Sequence, residues 1–192
     1  FFYANDGNGT ELWAHEMTND TTWMVADINN GSNSYATPSA AIGTRLFFSA
    51  NDGIHGTELW AHEMTNDTTW MVADINNGSD DSYAGSHGIA VGSRFYFNAN
   101  NGNSSSSHGD LWVYEMNNET MWNLTDTRAT SYGPANPSNF HLMGSTLYFD
   151  AWSGASSRSN IWAYGTTNDT AWEVTDAATD GLWSVCNWGM NC

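Results

Sequence analysis

The chain has almost no positive charge: its 192 residues include four arginines and no lysine, against 21 acidic residues. The formal net charge at pH 7 is −17. Nucleic acids and anionic membrane surfaces are bound through basic patches, so the composition argues against both as partners. An acidic surface of this kind fits simple solubility, or contact with divalent cations.

Long apolar runs and cysteines are also scarce. No run of 18 apolar residues is present, so no membrane insertion is predicted. The two cysteines, Cys186 and Cys192, both lie close to the end of the chain. We predict a disulfide that closes a small terminal loop and indicates an oxidising compartment; the alternative is two free thiols. The first residue is Phe1 rather than Met, as expected of a processed or trimmed chain.

The most informative feature is internal repetition. The segment Gly9–Ser32 recurs letter for letter at Gly56–Ser79, and looser copies lie at Gly109–Asp126 and Ser159–Asp176. The copies follow one another at a spacing of about 50 residues, and each contains two tryptophans at fixed positions. A period of this length with strand-like runs is typical of propeller blades or similar β-arrays.

Each unit contains four runs with the character of short antiparallel strands. Glu11–Met17 alternates between two faces, and Thr22–Ile28 returns after an Asn-Asp turn. A small apolar run at Pro38–Gly43 and an aromatic run at Arg45–Asp52 complete the cycle. No helix of ordinary length is predicted.

The predicted fold is all-β, a four-bladed β-propeller-like array of four-stranded antiparallel units in a single repeat domain, 1–192. The units are predicted at about 7–52, 53–100, 101–152 and 153–192, with an extra strand at 1–6. The last unit has no closing aromatic strand, and Phe1–Asp6 is an unassigned strand of that type. We therefore predict that this strand pairs with the C-terminal unit and closes the ring. The alternative is insertion into the next subunit, which would build a filament.

Two motifs resemble a known repeat family. Ser49–Trp60 (SANDGIHGTELW) and Val72–Ser79 (VADINNGS) are similar to the ELWxxDGT repeats. The resemblance implies β-propeller blades of large extracellular or cell-surface prokaryotic proteins, and it supplies no catalytic residues. The chain departs from the family where Glu16–Thr18 and Glu63–Thr65 stand in place of DGT, and where Asn30 and Asn77 replace a proline.

Asn-X-Ser/Thr sequons are the clearest chemical signal. They occur at Asn8, Asn19, Asn30, Asn66, Asn77, Asn103, Asn118, Asn123 and Asn168. Four of them, Asn19, Asn66, Asn118 and Asn168, occupy the same predicted hairpin in the four units. We expect covalent N-glycans at several sites; the alternative is that these residues are only turn formers.

Acidic residues also recur, since the second strand of each unit ends in Asp27, Asp74, Asp126 or Asp176. In a closed ring, four equivalent carboxylates would be weak candidates for a cation site, and oxygen ligands suit Ca²⁺. The alternative, which we prefer, is that each Asp caps its own turn. No cofactor is therefore required.

No catalytic constellation is visible. The sequence has no H-E-x-x-H or G-x-S-x-G motif, and no Cys/His nucleophile pattern. His15 and His62 are replaced by Tyr114 and Tyr164 in the later units, as is typical of aromatic packing or surface positions rather than of metal ligands.

The leading functional hypothesis is a non-enzymatic, glycosylated structural or adhesive scaffold outside the cell or on its surface. Its partners would be copies of itself, in a surface layer or filament, or surface glycans. Near-identity of the first two units favours this, because a binding site needs divergence in one copy. The alternative is a carbohydrate-binding, lectin-like propeller, with sugar-stacking candidates outside the two-per-unit pattern at Trp152, Trp183 and Trp188. A third hypothesis is a glycan hydrolase that uses carboxylates such as Glu58 and Asp110.

Overall fold

The computed structural model describes residues 1–102, 109–125, 134–153 and 159–174. Their regular structure consists of β-strands in four antiparallel sheets, each a simple meander in chain order. The predicted all-β, propeller-like array of antiparallel sheets is therefore confirmed. Within these described ranges, no helix has the length and apolar character needed to cross a membrane.

The first sheet has three strands, and the other three sheets have four. Sheet 1 contains β1 (Phe2–Asn5), β2 (Thr10–Glu16) and β3 (Thr21–Ala26). Sheet 2 contains β4 (Thr37–Ile42), β5 (Arg45–Asn51), β6 (Thr57–Glu63) and β7 (Thr68–Ala73). Sheet 3 contains β8 (Gly88–Val91), β9 (Arg94–Ala99), β10 (Asp110–Glu115) and β11 (Thr120–Asn123). Sheet 4 contains β12 (Pro134–Met143), β13 (Thr146–Ser153), β14 (Ser159–Gly165) and β15 (Thr170–Glu173).

The last two strands of every sheet are joined by the predicted Asn-centred hairpin. The residue after each hairpin asparagine adopts a left-handed backbone conformation, with φ of 56°, 56°, 55° and 51° at Asp20, Asp67, Glu119 and Asp169. Three of these residues are Asp, whose short polar side chain tolerates this conformation better than a β-branched one does, and Glu119 is at least unbranched at Cβ. The four hairpins therefore share one turn geometry.

Apolar clusters join each sheet to the next. Sheets 1 and 2 share a cluster that includes Leu12 and Phe48, and sheets 2 and 3 share one that includes Phe47 and Phe97. Sheets 3 and 4 share a third, which includes Tyr96 and Phe149. Adjacent residues Phe47 and Phe48 point into different clusters because side chains alternate along a strand. Over the described ranges, no such cluster joins sheet 4 to sheet 1.

The prediction for the N-terminal strand is wrong. Phe1–Asp6 was expected to complete the C-terminal unit, but β1 pairs with β2 of its own sheet, with Phe2 opposite Trp13. All four strands of sheet 4 come from residues 134–173. The short turn after β1, where the Gly7 N–H donates to Oδ1 of Asn5 at 2.7 Å, makes the local hairpin the nearest pairing.

The same pairing changes the boundaries of the repeat. The aromatic strand precedes each ELW-type strand in the same sheet, so the sheets span 2–26, 37–73, 88–123 and 134–173 rather than the predicted units. Sheet 1 lacks a counterpart of β4 within the part of the chain that the structure describes. In the described part of the chain, β1 is therefore an edge strand of sheet 1, as is β3.

Strand register gives a position-by-position alignment of the sheets. Each aromatic strand places a Phe opposite the first Trp of the repeat, and the four pairs are Phe2–Trp13, Phe48–Trp60, Phe97–Trp112 and Phe149–Trp162. Residues with the same register position are called equivalent below.

Candidate functional site

Glu58 is a fully buried carboxyl group that ties a loop to the middle of sheet 2. Its Oε2 accepts hydrogen bonds from the N–H of Ile75 at 2.8 Å and from the hydroxyl of Ser82 at 2.7 Å. Its Oε1 accepts a third bond, from the N–H of Ser82 at 3.2 Å. Burial raises the pKa of Glu58 to about 7, although these hydrogen bonds oppose the shift.

The positions equivalent to Glu58 are also buried and polar. They are Glu11, Asp110 and Asn160. Oδ2 of Asp110 accepts a 2.7 Å bond from the side-chain amide of Asn123 on the neighbouring strand. Glu58 and Asp110 thus hold strands and loops together in separate sheets. This arrangement does not support the acid–base pair that the hydrolase hypothesis requires.

An arginine clamp lies between sheets 2 and 3. The guanidinium carbon of Arg45 lies 4.9 Å from the ring centre of Trp70, on the same sheet. Its Nη1 donates to the Tyr114 hydroxyl at 3.2 Å and to Glu119 at 3.3 Å, both on sheet 3, while Nε lies 3.7 Å from Glu63. One planar cation therefore contacts an aromatic face and two carboxylates.

A second clamp of the same kind lies between sheets 3 and 4. The guanidinium carbon of Arg94 lies 5.8 Å from the ring centre of Trp122. Nε donates to Glu115 at 3.1 Å, and Nη1 donates to Asp169 of sheet 4 at 3.4 Å. No short sequence motif contains both an arginine and its partners in these clamps. The available signal was the equal placement of Arg45 and Arg94 at the start of aromatic strands.

Between sheets 1 and 2 the corresponding position is an open cleft of about 420 Å³. Its walls include Phe1, Glu16 and Trp23 from sheet 1, and His62 and Asp67 from sheet 2. The side chain of Trp23 is 43% exposed. The cleft therefore combines an accessible aromatic ring with two carboxylates.

The four hairpin sequons lie where the sequence placed them, and Asn19, Asn66, Asn118 and Asn168 are all exposed. Asn8, Asn30 and Asn77 are also exposed. Asn123 differs, because its side-chain nitrogen donates the bond to buried Asp110. Asn103 lies outside the described residues, as do both predicted disulfide cysteines, Cys186 and Cys192.

The recurrent aspartates are only partly described, since Asp126 and Asp176 lie outside the described residues. Asp27 is exposed, and Oδ2 of Asp74 accepts a 3.2 Å bond from the N–H of Gly78 in its own loop. The Asp74 contact is the turn-capping arrangement. In the described ranges, no group of three or more His, Cys, Asp or Glu side chains has the geometry to hold a metal ion.

His62 lies in an aromatic environment. His62 is buried, its Nδ1 lies 3.0 Å from the Thr69 hydroxyl, and burial lowers its pKa. Its ring contacts that of Phe1 edge to face at 5.7 Å, which fits the predicted aromatic packing role.

Trp152 is 41% exposed, whereas the other two candidates for sugar stacking, Trp183 and Trp188, lie outside the described residues.

A second cleft, of about 310 Å³, runs along the first strands of sheets 2, 3 and 4. Its lining includes Ser39, His87, Asn139 and Phe140. Hydroxyl, imidazole and amide groups beside an aromatic ring are able to bind a polar ligand.

No family model and no curated protein matches the chain. Among solved structures, the chain is similar to TolB from Acinetobacter baumannii, with a TM-score of 0.58 and 13% identity over 90% of this chain and 39% of that one. It is also similar to a putative TolB from Agrobacterium tumefaciens, with a TM-score of 0.53 and 12% identity over 88% of this chain and 57% of that one. The chain thus spans less than two thirds of the length of either protein. At these identities the similarity shows the β-propeller fold alone.

Proposed function

We propose that the chain is a non-enzymatic scaffold of an extracellular or cell-surface protein, with N-linked glycans on the exposed asparagines of its hairpins. The observation that carries this proposal is the equal placement of Asn19, Asn66, Asn118 and Asn168, each exposed in the same hairpin. A glycan on such a hairpin extends into solvent and leaves the strand pairing intact.

The hairpin hydrogen bonds favour attachment at these asparagines. Each Asn Oδ1 accepts a bond from the hydroxyl of the Thr two residues later, at 2.6, 2.6, 2.7 and 2.8 Å in the four sheets. These bonds use the amide oxygen and leave the amide nitrogen, which carries an N-linked glycan, directed away from the hydroxyl. The same bonds also suit a simple turn former, so the two interpretations require a direct test.

The test is intact-mass measurement and glycopeptide mapping of the protein from its native source. We expect glycans on the hairpin asparagines, and we expect Asn66→Gln to remove one glycan mass. Asn123 is the matched internal control, because its amide nitrogen is bonded to Asp110 and it should remain unmodified. A mass equal to that of the unmodified polypeptide, with no glycopeptide recovered from the four hairpins, would contradict the proposal.

The exposed apolar residues of the two end sheets favour a second copy of the chain as the partner. Ile161 on sheet 4 is 43% exposed, whereas its equivalent Leu59 is fully buried against sheet 3. On sheet 1, Phe2 is 38% exposed, whereas its equivalent Phe48 is fully buried. Sheet 4 of one copy and sheet 1 of the next therefore present the two halves of an internal interface, and such a head-to-tail contact extends into a ring or filament.

Sedimentation of the 192-residue chain tests this association. We expect assemblies that Ile161→Glu dissociates, while Ile54→Glu, another exposed apolar position but outside the end sheets, leaves them intact. A monomer at every concentration would reject the self-association.

Carbohydrate binding is the second candidate, favoured by the cleft along the first strands. A glycan column should retain the protein, and His87→Ala, which alters the cleft lining, should release it earlier. An unchanged elution position with neutral, acidic and amino sugars would reject this function.

A further inference from the structure

The three interfaces between successive sheets share an equivalent pair of aromatic rings. An aromatic residue of the earlier sheet contacts the ring of a His or Tyr on the later sheet at each interface. The ring centroids are 5.7 Å apart for Phe1–His62, 5.2 Å for Phe47–Tyr114 and 5.7 Å for Tyr96–Tyr164. Strand register makes these three pairs equivalent, so the surroundings of each pair can be compared directly.

Two of the three interfaces hold an arginine beside this aromatic pair. Arg45 and Arg94 each stack on a tryptophan of their own sheet, and each reaches a carboxylate on the hairpin of the next sheet. The Arg45 side chain is only 14% exposed, and that of Arg94 29%. The guanidinium group is therefore a regular part of the interface.

The first interface has the equivalents of the clamp tryptophan and of both clamp carboxylates, while His62 replaces the tyrosine whose hydroxyl accepts from Arg45. Trp23 is equivalent to Trp70, and Asp67 is equivalent to Glu119. Glu16 is equivalent to Glu63, and its Oε1 accepts a 2.9 Å bond from the N–H of Thr18. That bond lowers the pKa of Glu16, so its carboxylate is charged at neutral pH.

The first interface has no arginine at the clamp position within the described part of the chain. The place equivalent to Arg45 lies two residues ahead of Phe1, because Phe1 is equivalent to Phe47. The cleft of about 420 Å³ is found at this position, and Trp23 is 43% exposed in its wall. Burial lowers the pKa of His62, so a neutral imidazole faces the cleft and does not repel a cation.

We propose that this cleft is a binding site for a guanidinium group, either an arginine side chain or a small guanidinium compound. Trp23 stacks on the planar cation, and Glu16 and Asp67 accept its N–H groups, as both equivalents do for Arg94. At Arg45 the equivalent of Asp67 accepts a hydrogen bond, and the equivalent of Glu16 forms an ion pair at 3.7 Å. A net charge of −17 attracts any cation, so the distinguishing property is selectivity for a planar group that stacks and donates from several N–H groups at once.

Isothermal titration with butylguanidinium and with butylammonium tests this selectivity, because the two cations share charge and alkyl chain. We expect one butylguanidinium per chain, bound at least about threefold more tightly than butylammonium. Trp23→Ala and Asp67→Asn should each weaken binding by about threefold. Asp20→Asn, the same change at the equivalent hairpin position of sheet 1, should leave binding unchanged. Equal affinity for the two cations, or equal effects of Asp67→Asn and Asp20→Asn, would overturn the proposal.

A tethered arginine separates a site filled by the chain itself from one filled by a free ligand. Adding Thr-Arg-Leu ahead of Phe1 reproduces the residues that precede Phe47, and the arginine should occupy the cleft and abolish butylguanidinium binding. A matched Thr-Gln-Leu extension should leave binding intact. If the arginine extension still binds butylguanidinium with the original affinity, the cleft is not the equivalent of the two clamps and the proposal fails.

Discussion

The hydroxyl of Ser82 donates a 2.7 Å hydrogen bond to Oε2 of fully buried Glu58. Ser82 lies in the loop that leaves sheet 2, whereas Glu58 lies in the middle of that sheet. The N–H of Ser82 also donates to Oε1 of Glu58, at 3.2 Å, and the equivalent pair in sheet 1 has this backbone bond, from the N–H of Ser34 to Oε1 of Glu11 at 3.1 Å. The repeated Glu of the ELW motif therefore fixes the path of the chain from one sheet to the next.

Replacing Glu58 with Gln should change how stability depends on pH. Burial raises the pKa of Glu58 from an ordinary value of 4.5 to about 7, so the folded chain holds a proton that the unfolded chain has released. The stability from this group is complete below about pH 4.5 and is lost as pH rises through about 7. Between these two pH values the parent should lose on the order of 3 kcal/mol of unfolding free energy through this group, and Glu58→Gln should remove that loss.

Urea unfolding of the parent chain and of Glu58→Gln at pH 4.5 and pH 8 measures this change in unfolding free energy. Asp80→Asn is the control, because it removes one exposed carboxylate near the same loop. A Glu58→Gln variant whose stability keeps the pH dependence of the parent chain would show that Glu58 titrates normally.

Substitution of the two clamp arginines should rank them by burial and stacking distance. Arg45 is 14% exposed and 4.9 Å from its tryptophan ring, whereas Arg94 is 29% exposed and 5.8 Å from its ring. Arg45→Ala should lower the free energy of unfolding by about 1–3 kcal/mol, and Arg94→Ala by less. Arg45→Lys should recover only part of the loss, since an ammonium group lacks the planar fork. Equal losses from both Ala variants in urea unfolding would contradict this ranking.

The fold could be predicted from the sequence because its signals are local and repeated. Alternation in residues 11–17, the Asn-Asp turn and the fixed tryptophans identify the strands and hairpins. The sheet that β1 joins was predicted incorrectly for a different reason. A count of aromatic strands is the same whether each strand begins or ends a unit, and only the pairing of Phe2 with Trp13 decides between them.

The clamp and its open counterpart were harder to predict. Arg45 reaches residues 69 and 74 positions away in the chain, so no short motif contains its partners. The equal placement of Arg45 and Arg94 is visible in the sequence. That Trp70 and Glu119 contact the same guanidinium group, of Arg45, is visible only once the strands are paired. By contrast, the hairpin asparagines were located correctly, because a turn is set by neighbouring residues.

Equivalent phenylalanines of sheets 1 and 2 should differ strongly in their contribution to stability. Phe48 is fully buried, and Phe48→Ala should cost about 3–5 kcal/mol through the cavity it leaves. Phe2 is 38% exposed, and Phe2→Ala should cost less than about 1 kcal/mol. Chemical denaturation at low protein concentration makes the comparison. A loss at Phe2 as large as that at Phe48 would mean that a partner covers sheet 1 in solution.

Replacing His62 with Tyr should stabilise the first interface, with the larger effect in acid. The equivalent residue in sheet 4, Tyr164, donates a 2.6 Å bond to Asp169, and Asp67 occupies the corresponding place beside His62. The open cleft leaves room for the larger ring. We expect a gain of about 0.5–1.5 kcal/mol at neutral pH from the new hydrogen bond.

The pH dependence of this variant follows from burial of the imidazole, which lowers the pKa of His62. Below the ordinary value of 6.5, the unfolded chain takes up a proton before the folded chain does, so the parent loses stability as pH falls through the lowered folded value. Tyrosine has no such transition, and the difference in Tm should widen between pH 7 and pH 5. His15→Tyr, at the equivalent and more exposed position of sheet 1, is the control. If the difference in Tm between His62→Tyr and the parent stays constant from pH 7 to pH 5, burial of His62 does not cause the pH dependence. The same conclusion would follow if His15→Tyr gave the same pH-dependent difference.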